Sequence, residues 1–210
     1  MLAVLLISAY FLGSIPSALI AVYIATGKDI RTMGSGNSGA TNVYRLIGLK
    51  GALPVALFDF SKAFFPVFYC VKLAEVLGVG GLNGTILQFL LFLSVVVGHV
   101  FPVWAGFRGG KAVASAAGGV TALFPLAAPV CLTLFIVVAR LSGYVSLASM
   151  ATAWFLPLFY WLYSLLAGKT LTLHYLIFFL ICAFLVTVLH RKNIIRLMKG
   201  EENGFGKKRL

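Results

Sequence analysis

Gly34-Ser35-Gly36-Asn37-Ser38-Gly39-Ala40-Thr41-Asn42 is a run of nine small or polar residues in a 210-residue chain that is 61% hydrophobic. Three of the nine are glycine, and none is acidic or bulky. Glycine reaches φ > 0 and lets backbone amides come close to a ligand. Successive amides in such a turn form a concave nest for an anion. Ser35, Asn37, Thr41 and Asn42 add side-chain donors. A run of this kind also reads as a plain loop between helices. Arg31 and Arg45 on its flanks favour the anion site.

The composition around the run fixes the class of protein. Charged residues are 10% of the chain and the mean hydropathy is +1.03, where a soluble domain carries about 25% charged residues. The chain therefore reads as an all-α integral membrane protein with no room for a separate soluble domain. The net charge is +12, from 17 basic and five acidic residues. In a membrane protein such an excess points to cytoplasmic basic loops, anionic membrane lipids or an anionic substrate, and no nucleic acid is expected. The 22 glycines suit close helix approach. Cys70, Cys131 and Cys182 lie in apolar runs without metal-ligand spacing and read as buried small hydrophobes. The first apolar run is too long for a cleavable signal peptide.

Working outward from the run, residues 2–26 predict the first span. Gly13-Ser14-Ile15-Pro16-Ser17-Ala18 lies inside it, and the proline should kink the helix. Residues 27–50 predict a loop, and 51–74 a second span. That span holds Asp59 and Lys62, one turn apart and able to pair. Charges at membrane depth are costly and face protein, so a structural pair is favoured over a catalytic one. After a connection at 75–84, a third span covers 83–101 and ends in Gly98-His99. Gly106-Phe107-Arg108-Gly109-Gly110-Lys111 is a second polar cluster. Phe124-Pro125 and Pro129 interrupt the next apolar stretch, which predicts two short helices at 110–123 and 126–140. Arg140 leads into a third cluster, Ser142-Gly143-Tyr144-Val145-Ser146. Spans at 146–166 and 171–190 follow, the latter ending in His190-Arg191-Lys192-Asn193.

The count is seven transmembrane helices with a short middle pair. Residues 1–200 read as one transmembrane domain and 201–210 as a basic cytoplasmic tail. Alternate loops and ends carry fourteen Lys/Arg on one side and two on the other, with Lys62 inside. The positive-inside rule then puts the N-terminus outside and the C-terminus in the cytoplasm. All the polar clusters fall on the cytoplasmic face.

Those clusters supply Ser35, Asn37, Thr41, Asn42, Arg45, His99, Arg108, Lys111, Arg140, Ser142, Ser146, His190 and Asn193, and almost no acid. Magnesium-dependent phosphotransfer needs carboxylates, and zinc needs a His/Cys/Asp set. Neither is present, so no metal and no cofactor are expected. The donors suit one or two phosphates, held by Arg, Lys and glycine amides. Helix ends often use histidine only to cap carbonyls, so His99 and His190 have two open readings. Arg108 also has a plain reading, snorkelling to anionic lipid. Lys111 follows Gly109-Gly110 and begins a helix, where an anion is favoured.

Taken together, Gly34 to Val43 with Arg45, Gly98-His99 through Lys111, and Ser142-Gly143-Tyr144-Val145-Ser146-Leu147-Ala148-Ser149 resemble three cytoplasmic motifs of the bacterial acyl-phosphate glycerol-3-phosphate acyltransferases. Gly13-Ser14-Ile15-Pro16 and His190-Arg191-Lys192-Asn193-Ile194 match as well, in order along nearly the whole chain. The resemblance implies a bacterial inner-membrane enzyme with its active site facing the cytoplasm. Such an enzyme transfers a fatty acyl group from acyl phosphate to the 1-hydroxyl of sn-glycerol 3-phosphate. It releases lysophosphatidic acid and inorganic phosphate, without metal or cofactor, and a monomer is expected. It further implies catalytic roles for Ser35, Asn37, Lys111, His190 and Asn193. Gly34, Gly36, Thr41, Asn42, Arg45, Arg108, Gly109, Gly110 and Ser142 would bind substrate. Lys192 departs from the acid expected between the closing Arg and Asn, which puts a local salt bridge in question. From another class, a transporter of an anionic phosphate metabolite also suits glycine-broken spans with basic residues. It would place polar groups near the midplane rather than on one face.

Overall fold

The computed structural model describes residues 1–76 and 83–204, and all of them are helix or connecting turn. Most of the expected connection at 75–84 and the basic residues Lys207-Lys208-Arg209 lie outside the described residues. The chain divides into two compact units, Met1–Pro125 and Leu126–Leu210.

In the first unit, α1 (Leu2–Gly13) and α2 (Ser17–Thr26) are the two halves of the first apolar run. The break falls at Ser14–Pro16, where proline removes a helical donor. Ser14 Oγ donates to the Tyr10 carbonyl at 2.9 Å, and Lys62 Nζ donates to the Ile15 carbonyl at 3.2 Å. A short 3₁₀ turn, Ile30–Thr32, precedes the glycine-rich loop. Then come α3 (Ala40–Val76), α4 (Gly84–Val100), a second 3₁₀ turn (Val103–Ala105) and α5 (Val113–Leu123). α1 crosses α4 at paired glycines: a Cβ on Gly13 would strike the Val95 backbone, and one on Gly98 the Tyr10 carbonyl. Gly118 of α5 meets the Phe60 carbonyl of α3 in the same way. These backbone contacts are the close approach that small residues permit between apolar helices.

One boundary differs from the sequence expectation. The loop predicted over 27–50 ends at Gly39, and 40–50 belong to α3. The Gly39 carbonyl accepts from Asn42 N at 2.9 Å and Val43 N at 3.1 Å, which starts the helix inside the polar run. Val43, Ala52 and Val55 are buried, with Ala40, Leu46 and Ile47 packed beside them, so this stretch presents an apolar helix face. Gly48, at φ 75 and ψ −172, bends α3 there.

In the second unit, α6 (Ala127–Ser142) and α7 (Val145–Leu166) are joined by a turn at Gly143, which sits at φ 77. α8 (Leu173–Leu189) packs on α7, and Trp154 Nε1 donates to Thr187 Oγ1 at 3.0 Å between them. α9 (Arg191–Met198) leaves α8 at a 60° bend.

Among the described residues, four segments are long and apolar enough to cross a membrane: Leu2–Thr26, Ala40–Ala74, Gly84–Ala105 and Val145–Leu166. The bent pair of α8 and α9 is a fifth candidate. α5 and α6 are shorter apolar helices of 11 and 16 residues, within three residues of the bounds expected for the short middle pair.

Candidate active site

Asn42, in the first turn of α3, holds the glycine-rich loop in shape. It is 1% exposed. Its Oδ1 accepts from Ser35 N at 3.0 Å, and its Nδ2 donates to the Met33 carbonyl at 3.0 Å and the Ile30 carbonyl at 3.4 Å. Both ends of the amide are therefore engaged by the loop itself. Gly34 and Gly36 sit at φ 57 and φ 70, a region that favours glycine. A Cβ on Gly34 would also strike Asn42 Oδ1. Gly36 N donates to the Met33 carbonyl and Gly39 N to the Asn37 carbonyl. Several amides that composition alone offered to an anion are thus internal. Ser35, Asn37, Thr41 and Arg45 remain half-buried on the loop and the start of α3. Arg31 grips Asp29 through Nε at 3.0 Å and Nη2 at 2.6 Å, and donates to the Ala105 carbonyl at 2.7 Å. That bond ties the loop to the second polar cluster. The guanidinium holds the Asp29 carboxyl below the usual carboxylate range, and the carboxylate raises Arg31 in turn.

The second cluster turns tightly. Gly106, Phe107 and Ala112 all have positive φ, at 63, 60 and 55. For Phe107 and Ala112 that conformation is strained. Gly109 N donates to the Val100 carbonyl at 3.0 Å and Gly110 N to the His99 carbonyl at 3.2 Å. The sequence expectation turned these two glycine amides toward phosphate; both instead donate within the turn. Their role is close approach: a Cβ on Gly109 would strike the His99 carbonyl, and one on Gly110 the His99 Nε2 and the Ser38 carbonyl. Lys111 follows, just ahead of Ala112 and the N-terminus of α5, which has no side-chain cap. Orphan amides of a first helical turn favour an anion there. A narrow recess beside this turn is lined by Pro16, Ser17, Ser38, His99, Arg108 and Gly110. Ser38 Oγ is buried there without a hydrogen-bond partner among the described residues, and Arg108 is exposed. Below it lies the expected Asp59–Lys62 pair, 2.8 Å apart, with Asp59 1% and Lys62 3% exposed.

The second unit holds the other candidates. Ser142 Oγ donates to the Val138 carbonyl at 2.6 Å and accepts from Tyr144 N at 3.1 Å, closing the end of α6. His190 is buried, with Nδ1 2.7 Å from the Val186 carbonyl. A carbonyl partner requires the proton on Nδ1, which makes Nε2 the basic nitrogen of the neutral ring. Glu202 was not foreseen. It is 5% exposed and accepts from Ser146 Oγ at 2.9 Å, Asn193 Nδ2 at 2.6 Å and Arg196 Nε at 2.7 Å. Burial alone would raise its carboxyl. The bonds from Arg196, Asn193 and Ser146, and the Arg196 charge, outweigh that and hold it below its ordinary value. The signal was in the sequence: two of only five acids stand together at Glu201-Glu202 in an otherwise basic end.

A family model described as Glycerol-3-phosphate acyltransferase matches residues 3–200. The chain belongs to the glycerol-3-phosphate acyltransferase family. A relative of that name from Chlorobium phaeobacteroides (strain BS1) is 38% identical, over 96% of this chain and 95% of its own. Another, from Chlorobaculum tepidum, is 36% identical over 97% of both. Among solved structures, the fold is similar to PlsY (YgiH), an integral membrane glycerol 3-phosphate acyltransferase. Its glycerol 3-phosphate form aligns at TM-score 0.80 and 35% identity, over 98% of this chain and 96% of that one. Its lysophosphatidic acid form aligns at 0.78 and 34%, over 98% and 95%. Membership agrees with the apolar helices: this is a multi-pass protein of a bacterial membrane enzyme family.

Proposed function

We propose that this chain acylates the 1-hydroxyl of sn-glycerol 3-phosphate to give lysophosphatidic acid, the first acylation in phospholipid synthesis. The observation that carries the reading is the likeness, along nearly the full length of both chains, to an acyltransferase solved in glycerol 3-phosphate and lysophosphatidic acid forms. The donor in this reading is acyl phosphate, and the enzyme works as a monomer in the bacterial inner membrane. Residues 1–200 form one seven-span catalytic domain, N-terminus outside, with the polar clusters facing the cytoplasm.

The chemistry needs little from the protein beyond placement and charge. The substrate hydroxyl oxygen attacks the acyl carbonyl carbon. The bond from that carbon to the phosphate oxygen breaks, inorganic phosphate leaves, and the hydroxyl proton passes to a base. In the first unit, Lys111 and Arg45 stand as charge partners for phosphate, with the N-terminus of α5 behind Lys111. Ser35, Asn37 and Thr41 orient the substrate from the glycine-rich loop. Asn42, Gly34 and Gly36 shape that loop, and Gly109 and Gly110 bring the Lys111 turn close to His99. In the second unit, His190 presents the tautomer whose Nε2 takes a proton, and a substrate phosphate oxygen is the other base. Asn193, three residues after His190, and Ser142, at the end of α6, are further substrate contacts of this reading.

The test is purified protein in lipid with glycerol 3-phosphate and, in separate reactions, acyl phosphate or acyl-CoA. Lysophosphatidic acid and phosphate appearing in equal amounts from acyl phosphate support the reading. Product from acyl-CoA alone would replace the donor, and no product from either would remove the enzyme reading.

A further inference from the structure

Asp59 has no part in the chemistry above, yet three elements converge on one of its oxygens. Ser17 Oγ of α2 donates to Oδ1 at 2.8 Å, Lys62 Nζ lies 2.8 Å from it, and His99 Nδ1 of α4 stands 3.7 Å away. Ser115 Oγ of α5 is 3.3 Å from the same His99 nitrogen. Asp59, Lys62, His99 and Ser115 are all buried. A buried ion pair is a weak source of stability, because desolvation offsets the attraction. Lys62 has a local task in holding the Ile15 carbonyl at the helix break. That task does not require a histidine on the other side of the carboxylate.

His99 connects this group to the second cluster. Its carbonyl accepts from Gly110 N, and its ring fills the space that a Gly110 Cβ would need. The Ser38 carbonyl closes the same space from the glycine-rich loop. A shift of the imidazole therefore moves the peptide immediately before Lys111.

We propose that Asp59 and His99 form a buried strut that positions the Gly109-Gly110-Lys111 turn. Ser115 holds the ring at hydrogen-bond distance, the Asp59 carboxylate stands beside it at 3.7 Å, and the ring supports the turn. Neither residue touches substrate; both are positioning residues. The proposal rests on the acyltransferase reading only in that Lys111 there meets a phosphate.

The experiment uses the full chain in lipid with His99→Gln, Ser115→Ala and Asp59→Asn, each alone and combined with Lys111→Ala. The first two leave the Asp59–Lys62 pair in place, so they carry the test where Asp59→Asn fails to fold. Displacing the turn by about 1 Å should lower kcat by roughly 10–100-fold in His99→Gln. Adding Lys111→Ala should then cost less than about threefold beyond Lys111→Ala alone, because both act through one group. Amide exchange at Gly109 and Gly110 should rise about tenfold or more, with α1 unchanged. Folded His99→Gln with unchanged exchange there, or losses that multiply with Lys111→Ala, would overturn the strut. If Lys111→Ala is itself fully active, the phosphate reading of Lys111 fails, and the exchange measurement still decides the strut.

Discussion

Gly110 and Lys111 are neighbours with different kinds of work. Lys111 carries charge, and Gly110 makes room. Lys111→Ala should lower kcat/KM roughly 10²-fold or more, the scale of one lost charge stabiliser, while the melting temperature stays close to wild type. Gly110→Ala should lower activity through a collision with the His99 ring and the Ser38 carbonyl, at about 1–3 kcal/mol of overpacking, read as lower melting temperature and lower kcat together. His190→Ala should cost roughly 10²-fold in kcat if its Nε2 is the base; a change confined to KM would assign it to binding. At this scale the sequence showed which polar residues stand near one another along the chain. It did not show which donors are already engaged. Asn42 and the Gly109 and Gly110 amides were read toward a ligand, but turn geometry gives them partners inside the chain. Composition records the presence of a donor and not its direction.

Between elements, the glycines at the α1–α4 crossing make a sharp prediction. Gly98→Val places a branched side chain against the Tyr10 carbonyl of α1. Backbone at that distance has no side-chain freedom to give, so folded protein recovered from membranes should fall severely, as measured by monodisperse yield in detergent. The end of the chain makes another. Removing the buried Glu202 charge by Glu202→Gln weakens the bonds from Ser146, Asn193 and Arg196. Losing such bonds costs about 1–3 kcal/mol, or roughly 2–10 °C in melting temperature for a chain of this size. Because the folded Glu202 carboxyl lies below its ordinary 4.5, its contribution is present above that pH and is lost as pH falls through the folded value. The gap between wild type and Glu202→Gln should therefore be widest near neutrality and close on acidification. Proline made the break at 14–16 and the short pair α5 and α6 legible in sequence. The start of α3 at Ala40 was obscured because small polar residues read as loop while Val43, Leu46 and Ile47 already follow a helical face. The acid pair at Glu201-Glu202 is visible in the sequence, but the contact of Glu202 with Ser146 spans 56 residues, which no local pattern contains.

Across the whole chain, the proposed function expects the polar clusters on one side of a membrane. Fourteen Lys/Arg on one set of loops and ends against two on the other favour the proposed orientation, with the C-terminus in the cytoplasm. The length and apolar character of the helices supply the membrane. Family membership over residues 3–200 supplies the acyltransferase class. The rival from another class, a transporter of a phosphate metabolite, differs in one observable way: it moves its substrate across, and the enzyme consumes it in place. The most direct measurement reconstitutes the purified protein in sealed vesicles of known orientation, reported by protease access to a C-terminal tag. Acyl phosphate is in the bilayer, and labelled glycerol 3-phosphate is outside only. Labelled lysophosphatidic acid should form in the membrane only where the C-terminus faces the labelled substrate, with no label in the lumen. Labelled glycerol 3-phosphate recovered from the lumen without lysophosphatidic acid would contradict the account.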